Sequence, residues 1–332
     1  TIIVDDSKKT TFKPVKYESN KLMRLVRHLD ARSAATGPYV AAIGGFDGIH
    51  LGHRTLIDHA RLIARRQGLK SMVLSFEPLP KEFFAPQDPP ARLTNFRERW
   101  RLLEADGPEA FCVLRFDDRL RSHTARQFAE LLLRGGVRHI VIGHDFRAGY
   151  RGEARVDWFR ANGPAMGLGI EVVEPVMGEG LRIGSGVIRG ALAAGDLAMA
   201  ARLLGRPYAM RGRVVAGERL GRQIGFPTAN LRMGRRRTPL DGIFAVRVRG
   251  VEAGRPLGGV ASLGTRPTVG GGAPLLETHV FDFAGDLYGR EIEVEFVARL
   301  RDELRFENVD AMVAQIHRDA AEARAVLSGR LN

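Results

Sequence analysis

From about Pro38 to Gly205, short apolar runs alternate with amphipathic stretches. Tyr39–Ile43, Met72–Phe76, Phe111–Leu114, His139–Ile142 and Ile170–Val173 read as strands. Between them Leu56, Ala60 and Ile63, and later Phe128, Leu131 and Leu132, recur at helical spacing. This alternation predicts an α/β domain with a doubly wound parallel sheet covered on both faces. After Gly205 the texture changes to strands separated by turn residues: Arg211–Val215, Phe244–Val248, Gly259–Leu263 and Leu276–Phe283. Ile292, Val294 and Phe296 alternate with Glu291, Glu293 and Glu295, the pattern of a strand with one wet face. The second half therefore reads as an antiparallel β-barrel closed by a terminal helix that carries Met312, Ile316 and Ala323 on one face. The switch near Leu204–Arg206 divides the chain into residues 1–205 and 206–332. Two domains suit a chain of 332 residues, because single cores stop growing at roughly 250–300 residues.

Composition narrows the function classes. At 44% hydrophobic and 27% charged residues the balance is globular. The polar run Thr1–Thr11 is unlike a signal peptide, no stretch is long enough to cross a bilayer, and the first 40 residues are an uninformative extension. The lone cysteine, Cys112, lies in the apolar run Phe111–Leu114 and reads as a buried structural thiol. One cysteine also excludes an internal disulfide and a cysteine-based zinc site, so a cytoplasmic setting is expected. The net charge of +13 raises the question of nucleic acid. The excess is spread over both halves, and the one dense run, Arg235–Arg237, has no interleaved aromatic residues. That run reads as a solvated loop, and no nucleic-acid or membrane partner is expected.

The first chemical constellation is Gly44-Gly45-Phe46-Asp47-Gly48-Ile49-His50-Leu51-Gly52-His53, which follows the first predicted strand and opens a helix. That is where an α/β sheet binds phosphates. Two histidines separated by Leu-Gly either put both imidazoles beside one phosphate or cap the helix start. The stretch resembles the HxGH signature of nucleotidylyltransferases, in the extended form found in bacterial bifunctional riboflavin kinase/FMN adenylyltransferases. Phe76-Glu77-Pro78-Leu79-Pro80 and Arg92-Leu93-Thr94 are similar to that family's next loops, and Ile142–Gly149 and Ile183–Arg189 to two further motifs. Gly184 and Gly186 stand where the family has hydroxyl residues, Leu79 where it has histidine and Ala148 where it has an aromatic. The resemblance implies His50 and His53 as catalytic residues. It places Gly44, Phe46, Asp47, Gly48, Ser185 and Arg189 on ATP phosphates, with Pro78 and Asp145 at the flavin.

In the second half, Gly217, Gly221 and Gly225 punctuate a loop that leads into Phe226-Pro227-Thr228-Ala229-Asn230. On a strand Thr228 and Asn230 face one way, and their oxygens suit magnesium. Taken alone, a Thr-x-Asn pair is as readily polar surface. Leu203–Tyr208, Gly212–Gly217 and Gly221–Asn230 together closely resemble riboflavin kinases, as do Asp241–Val246, Gly264–Thr268, Glu277–Phe283, Asp286–Gly289 and Arg301–Phe306. By this resemblance Glu277 is the catalytic base, and Thr228 and Asn230 hold Mg2+ or another divalent cation. Gly217 and Gly225 approach ATP, Arg301 and Phe306 border the flavin, and Thr268 and His279 are structural. The expected chemistry is phosphorylation of riboflavin to FMN followed by adenylylation of FMN to FAD, with ATP as co-substrate of both. A kinase whose first domain has lost adenylyl transfer is the competing expectation. A basic nucleic-acid-binding protein on the same scaffold is a more distant one.

Overall fold

The computed structural model describes residues 22–217, 221, 224–265 and 274–329. The run Thr1–Thr11, Arg222 and the segment Arg266–Thr268 lie outside the described residues. The first half is built on β1 (Arg24–Val26), β2 (Tyr39–Ile43), β3 (Lys70–Glu77), β4 (Ala110–Arg115), β5 (Val137–Gly143) and β6 (Gly169–Val173). They form one sheet in the order β1-β4-β3-β2-β5-β6, and every pair is parallel. Each predicted strand falls within an observed one. β1 was not anticipated, because three residues in a polar stretch carry too little periodicity to register.

Strand alternation sends side chains to both faces of the sheet. Tyr39, Ala41 and Ile43 join Phe128, Leu132 and Phe159 in one apolar cluster, and Val40 and Ala42 join Ile57, Ala60 and Leu103 in another. The helices covering these faces include α1 (Leu51–Gln67), α2 (Phe96–Asp106), α3 (Ala125–Arg134) and α4 (Val156–Asn162). Cys112 is fully buried in the first cluster, and burial pushes its thiol pKa up, as an inert structural role requires. Two further helices, α5 (Ser185–Ala193) and α6 (Leu197–Leu204), lead into the second half. There β7 (Ala209–Val215), β8 (Ala229–Arg232), β9 (Gly242–Arg249), β10 (Leu257–Thr265), β11 (Pro274–Val280) and β12 (Glu291–Arg301) close a six-stranded antiparallel barrel, in the order β7-β8-β11-β10-β9-β12. The final helix α7 (Val309–Leu327) packs Ala320 and Ala323 against Ile243, Ala245, Val260 and Phe281.

Three sequence expectations change. The strand predicted over Leu276–Phe283 ends at Val280, because Asp282 turns the chain in the left-handed region at φ 56°. The acidic face of β12 is not simply wet. Glu295 is buried, and it pairs with Arg249 at 3.0 Å and Arg247 at 3.5 Å, while Glu293 pairs with Arg211 at 2.8 Å. Nor is Arg235–Arg237 a solvated loop throughout. Arg237 is exposed and pairs with Asp88, but Arg235 is buried and forms an ion pair with Glu98, the residue that also completes the α2 capping box with Asn95. A charge with a partner supplied from the other half of the chain can be buried where an unpaired one cannot, and that partner is invisible in local sequence. Among the described residues no helix is long and apolar enough to cross a membrane.

Candidate active sites

The glycine-rich loop leaves the carboxyl end of β2 and delivers His50 to the N-cap of α1. His50 Nδ1 accepts the His53 backbone N–H at 3.2 Å, and the two rings stack with centroids 3.6 Å apart and planes 17° from parallel. The capping and the paired-imidazole readings of the sequence are therefore both realised, since His50 caps the helix and still faces His53. The loop is strained. Phe46 has φ 48° and Ile49 φ 42°, values that a β-branched residue rarely adopts, and Gly48 has φ 88°. A Cβ on Gly48 would also lie 2.7 Å from Leu93 Cδ1.

Buried Asp47 organises the surroundings. Its carboxylate accepts the backbone N–H groups of Leu93 at 3.1 Å and Thr94 at 2.9 Å, the Thr94 hydroxyl at 3.1 Å and Arg189 Nη2 at 2.7 Å. Its backbone carbonyl accepts from Ser185 Oγ at 2.9 Å. Asp47, Gly48, His50, Ser185 and Arg189, scattered along the sequence, thus share one locus. A Cβ on Gly52 would lie 3.5 Å from the Ile183 carbonyl oxygen, so the starts of α1 and α5 adjoin. Two helix N-termini then direct partial positive charge at one place. Cβ atoms on Gly184 and Gly186 would meet nothing within 4 Å, so the space that hydroxyl side chains would take is open. Asp145 stands to one side, paired at 2.7 Å with Arg182 just ahead of α5. Pro78 follows Glu77, which pairs with Arg92 and Arg99, while Leu79 is buried.

Burial lowers the His50 pKa to about 4, opposed by Asp47 and reinforced by Arg206, Arg189 and Arg182. His53 is also held well below the usual value, by burial and then by His50 and Arg206. Both rings are neutral at pH 7. With Nδ1 accepting a hydrogen bond, neutral His50 carries its proton on Nε2, which is left to donate. A depressed histidine pKa makes the unfolded chain the better proton binder between its two pKa values. Nothing is lost above pH 6.5, and stability falls as pH drops from there through about 4. For His50 the full loss is about 3 kcal/mol. Urea unfolding of wild type and His50→Gln at pH 7 and pH 4.5 checks this, and the fall in stability is expected to be smaller in the variant.

In the barrel, Asn230 lies directly opposite Glu277 on the β8–β11 ladder, and Ser262 lies opposite Glu277 on its other side. Thr228 immediately precedes β8 and lies two residues from Asn230. A cavity of about 560 Å³ is lined by Gly217, Thr228, Asn230, Thr278 and the segment Phe283–Tyr288. Asn230 is buried and its Oδ1 has no hydrogen-bond partner, nor does the Thr278 hydroxyl. A Cβ on Gly217 would lie 2.4 Å from Asn230 Nδ2, so glycine is needed there to seat the amide. Gly225, at φ 83°, turns the loop into Phe226 with open space around it. His279 packs edge-on to Phe226 and bonds through Nδ1 to the Pro227 carbonyl, 2.9 Å away.

Arg301 and Phe306 do not line this cavity. Arg301 is held by Asp319 of α7 at 2.6 and 2.8 Å, with the Phe306 ring 6.0 Å away. Sequence reasoning missed Thr278, Asp286 as a lining residue, and Glu303, which accepts from Ser262 Oγ at 3.3 Å beside Glu277. It also missed Arg206. Only their places within quoted motifs marked these residues, since their contacts are made across the fold.

A family model described as FAD synthetase matches residues 32–187, and one described as Riboflavin kinase matches residues 204–327. The chain is similar to the bifunctional riboflavin kinase/FMN adenylyltransferase of Pseudomonas fluorescens, 42% identical over 307 residues, covering 92% of this chain and 98% of the relative. The protein of the same name from Escherichia coli (strain K12) is 43% identical over 305 residues, 91% of this chain and 97% of the relative. A solved structure described as a macrolide-efflux protein from Streptococcus pneumoniae superposes with a TM-score of 0.73 at 31% identity, covering 91% of this chain and 99% of that one. With both family models matched in order and relatives aligned nearly end to end, the chain belongs to the bifunctional riboflavin kinase/FMN adenylyltransferase family.

Proposed function

We propose that the chain makes FMN from riboflavin and ATP in residues 206–332 and makes FAD from FMN and a second ATP in residues 1–205. The observation that carries this reading is that one chain holds both constellations: a stacked pair of neutral histidines at a helix start, and an oxygen-lined barrel cavity with a carboxylate across the ladder.

In the kinase step the riboflavin 5′-hydroxyl oxygen bonds to the γ-phosphorus, and the bond to the β,γ-bridging oxygen breaks to leave ADP. Glu277 takes the hydroxyl proton late in the step. The buried, unpartnered Asn230 Oδ1 and the nearby Thr228 hydroxyl are the hard oxygen donors that magnesium prefers. Magnesium bound there would neutralise charge on the ATP phosphates. Gly217 and Gly225 let the loop backbone approach the nucleotide.

In the adenylyl step an FMN phosphate oxygen attacks the α-phosphorus of ATP in line, and pyrophosphate leaves. No covalent enzyme intermediate forms. His50, donating from Nε2, and His53 stabilise charge that grows on the phosphate oxygens, while Ser185, Arg189 and the two helix starts hold the phosphates. Neutral donors fixed by burial need no reorganisation as that charge develops. Asp145 and Pro78 border the flavin, and a cytoplasmic setting suits both ATP-dependent steps.

A time course with riboflavin, ATP and magnesium, resolved by chromatography, tests this. FMN is expected first and FAD after it. FMN alone would limit the chain to the kinase and point to Gly184 and Gly186. Neither product from folded protein would overturn the reading.

A further inference from the structure

We propose that Arg206, a residue of the kinase-matched half, positions the loop that presents His50 and His53 for adenylyl transfer. The guanidinium reaches back across the junction between the two halves. Its Nη2 donates to the Gly48 carbonyl at 2.6 Å and its Nη1 to the Ile49 carbonyl at 3.0 Å. Those two peptide planes are the ones immediately before His50, and they flank the residues forced to positive φ, Gly48 and Ile49. A strained backbone persists only where its surroundings over-determine it. From one side Thr94 and Ser185 do so, through the bonds from Gly48 N–H to Thr94 Oγ1 at 2.8 Å and from Ser185 Oγ to the Asp47 carbonyl. From the other side Arg206 supplies the two bonds that hold the carbonyls.

The junction is shaped for this approach. Gly205 ends α6 at φ 70°, and a Cβ there would lie 2.6 Å from Leu51 Cδ2, so the chain passes directly against the first turn of α1. The backbone N–H of Arg206 is itself tied to the Ala201 carbonyl at 3.1 Å. Both ends of the side chain are therefore anchored. A planar fork can hold two carbonyls at once, whereas a lysine ammonium is a single point of charge on a flexible stem. Displacing the loop by a fraction of an ångström would move both imidazoles relative to the α-phosphorus without removing any group that binds ATP or FMN.

The proposal rests on the reading that the His50–His53 loop carries adenylyl transfer, and the test separates the two. Full-length Arg206→Met, Arg206→Lys and His53→Ala are assayed for FAD formation from FMN and ATP with magnesium, and for FMN formation from riboflavin. In Arg206→Met, kcat for FAD formation is expected to fall about 10–100-fold. KM values for FMN and ATP should change less than about threefold, and the riboflavin kinase rate should stay near wild type. Arg206→Lys should recover part of the lost kcat. Wild-type kcat in Arg206→Met, when His53→Ala has lost FAD formation, would overturn the positioning role alone. Undiminished FAD formation in His53→Ala would overturn the reading beneath it. Equal loss of both activities in Arg206→Lys would make the arginine a general structural support and would also defeat the proposal.

Discussion

Glu277→Gln is expected to lower FMN formation from riboflavin by about 10²–10⁴-fold, the usual worth of a positioned general base. Conversion of FMN to FAD by the same protein should stay within about twofold of wild type, because effects at well-separated sites are nearly independent. The amide keeps the shape of the side chain on β11, its ladder positions opposite Asn230 and Ser262, and the adjoining cavity. What it removes is the capacity to take a proton. The loss should therefore fall on kcat, with KM for riboflavin and ATP little changed. Steady-state kinetics of the two half-reactions, each started from its own flavin, measure this. Parallel loss of both activities in a normally folded variant would contradict two separate centres.

Arg235→Met is the second large effect, and it falls on stability. Arg235 is buried and donates to the Glu98 carboxylate, to Tyr208 Oη at 3.2 Å and to the Arg92 and Leu93 carbonyls at 3.3 Å. Removing it leaves Glu98 buried without its counter-charge, which costs about 3–5 kcal/mol. Glu98 also accepts the backbone N–H groups of Arg211 and Asn95, each at 2.7 Å, so the carboxylate cannot swing out to water without breaking a helix cap and an interhalf bond. The double variant Arg235→Met/Glu98→Gln should be more stable than Arg235→Met alone, because it removes the uncompensated charge and keeps one acceptor oxygen. Chemical denaturation of the three proteins closes the cycle. A double variant less stable than the single one would show that lost packing, rather than the stranded carboxylate, sets the cost.

These two residues show what kinds of information the chain carries locally. Glu277 was found in the sequence because a motif of several residues surrounds it in a strand whose alternation is plain. Arg235 was misread as solvated because its partner stands 137 positions away in the chain. The same division runs through both sites. His50, His53, Thr228 and Asn230 were found from spacing and resemblance, since each pair is brought together by one turn or one strand. Arg301 and Phe306 were expected at the flavin, but Arg301 is bound to Asp319 of α7 and neither residue lines the barrel cavity. Thr278 showed no signal, as a threonine in a buried strand face is ordinary until its hydroxyl is seen to lack a partner.

The sequence by itself determined the parallel sheet, the barrel and its closing helix, and the positions of the two phosphate-binding loops. Apolar periodicity and glycine placement act over a few residues and need nothing from elsewhere in the chain. Only the tertiary structure decided how the strained loop before His50 is held, which charges are buried, and how the two halves engage. Asp47 is gripped by Leu93, Thr94 and Arg189, Gly48 and Ile49 by Arg206, and Glu98 by Arg235. Each of these is a hydrogen bond or ion pair between groups far apart in sequence, and its partner is chosen by which surfaces the packed elements bring within about 3 Å.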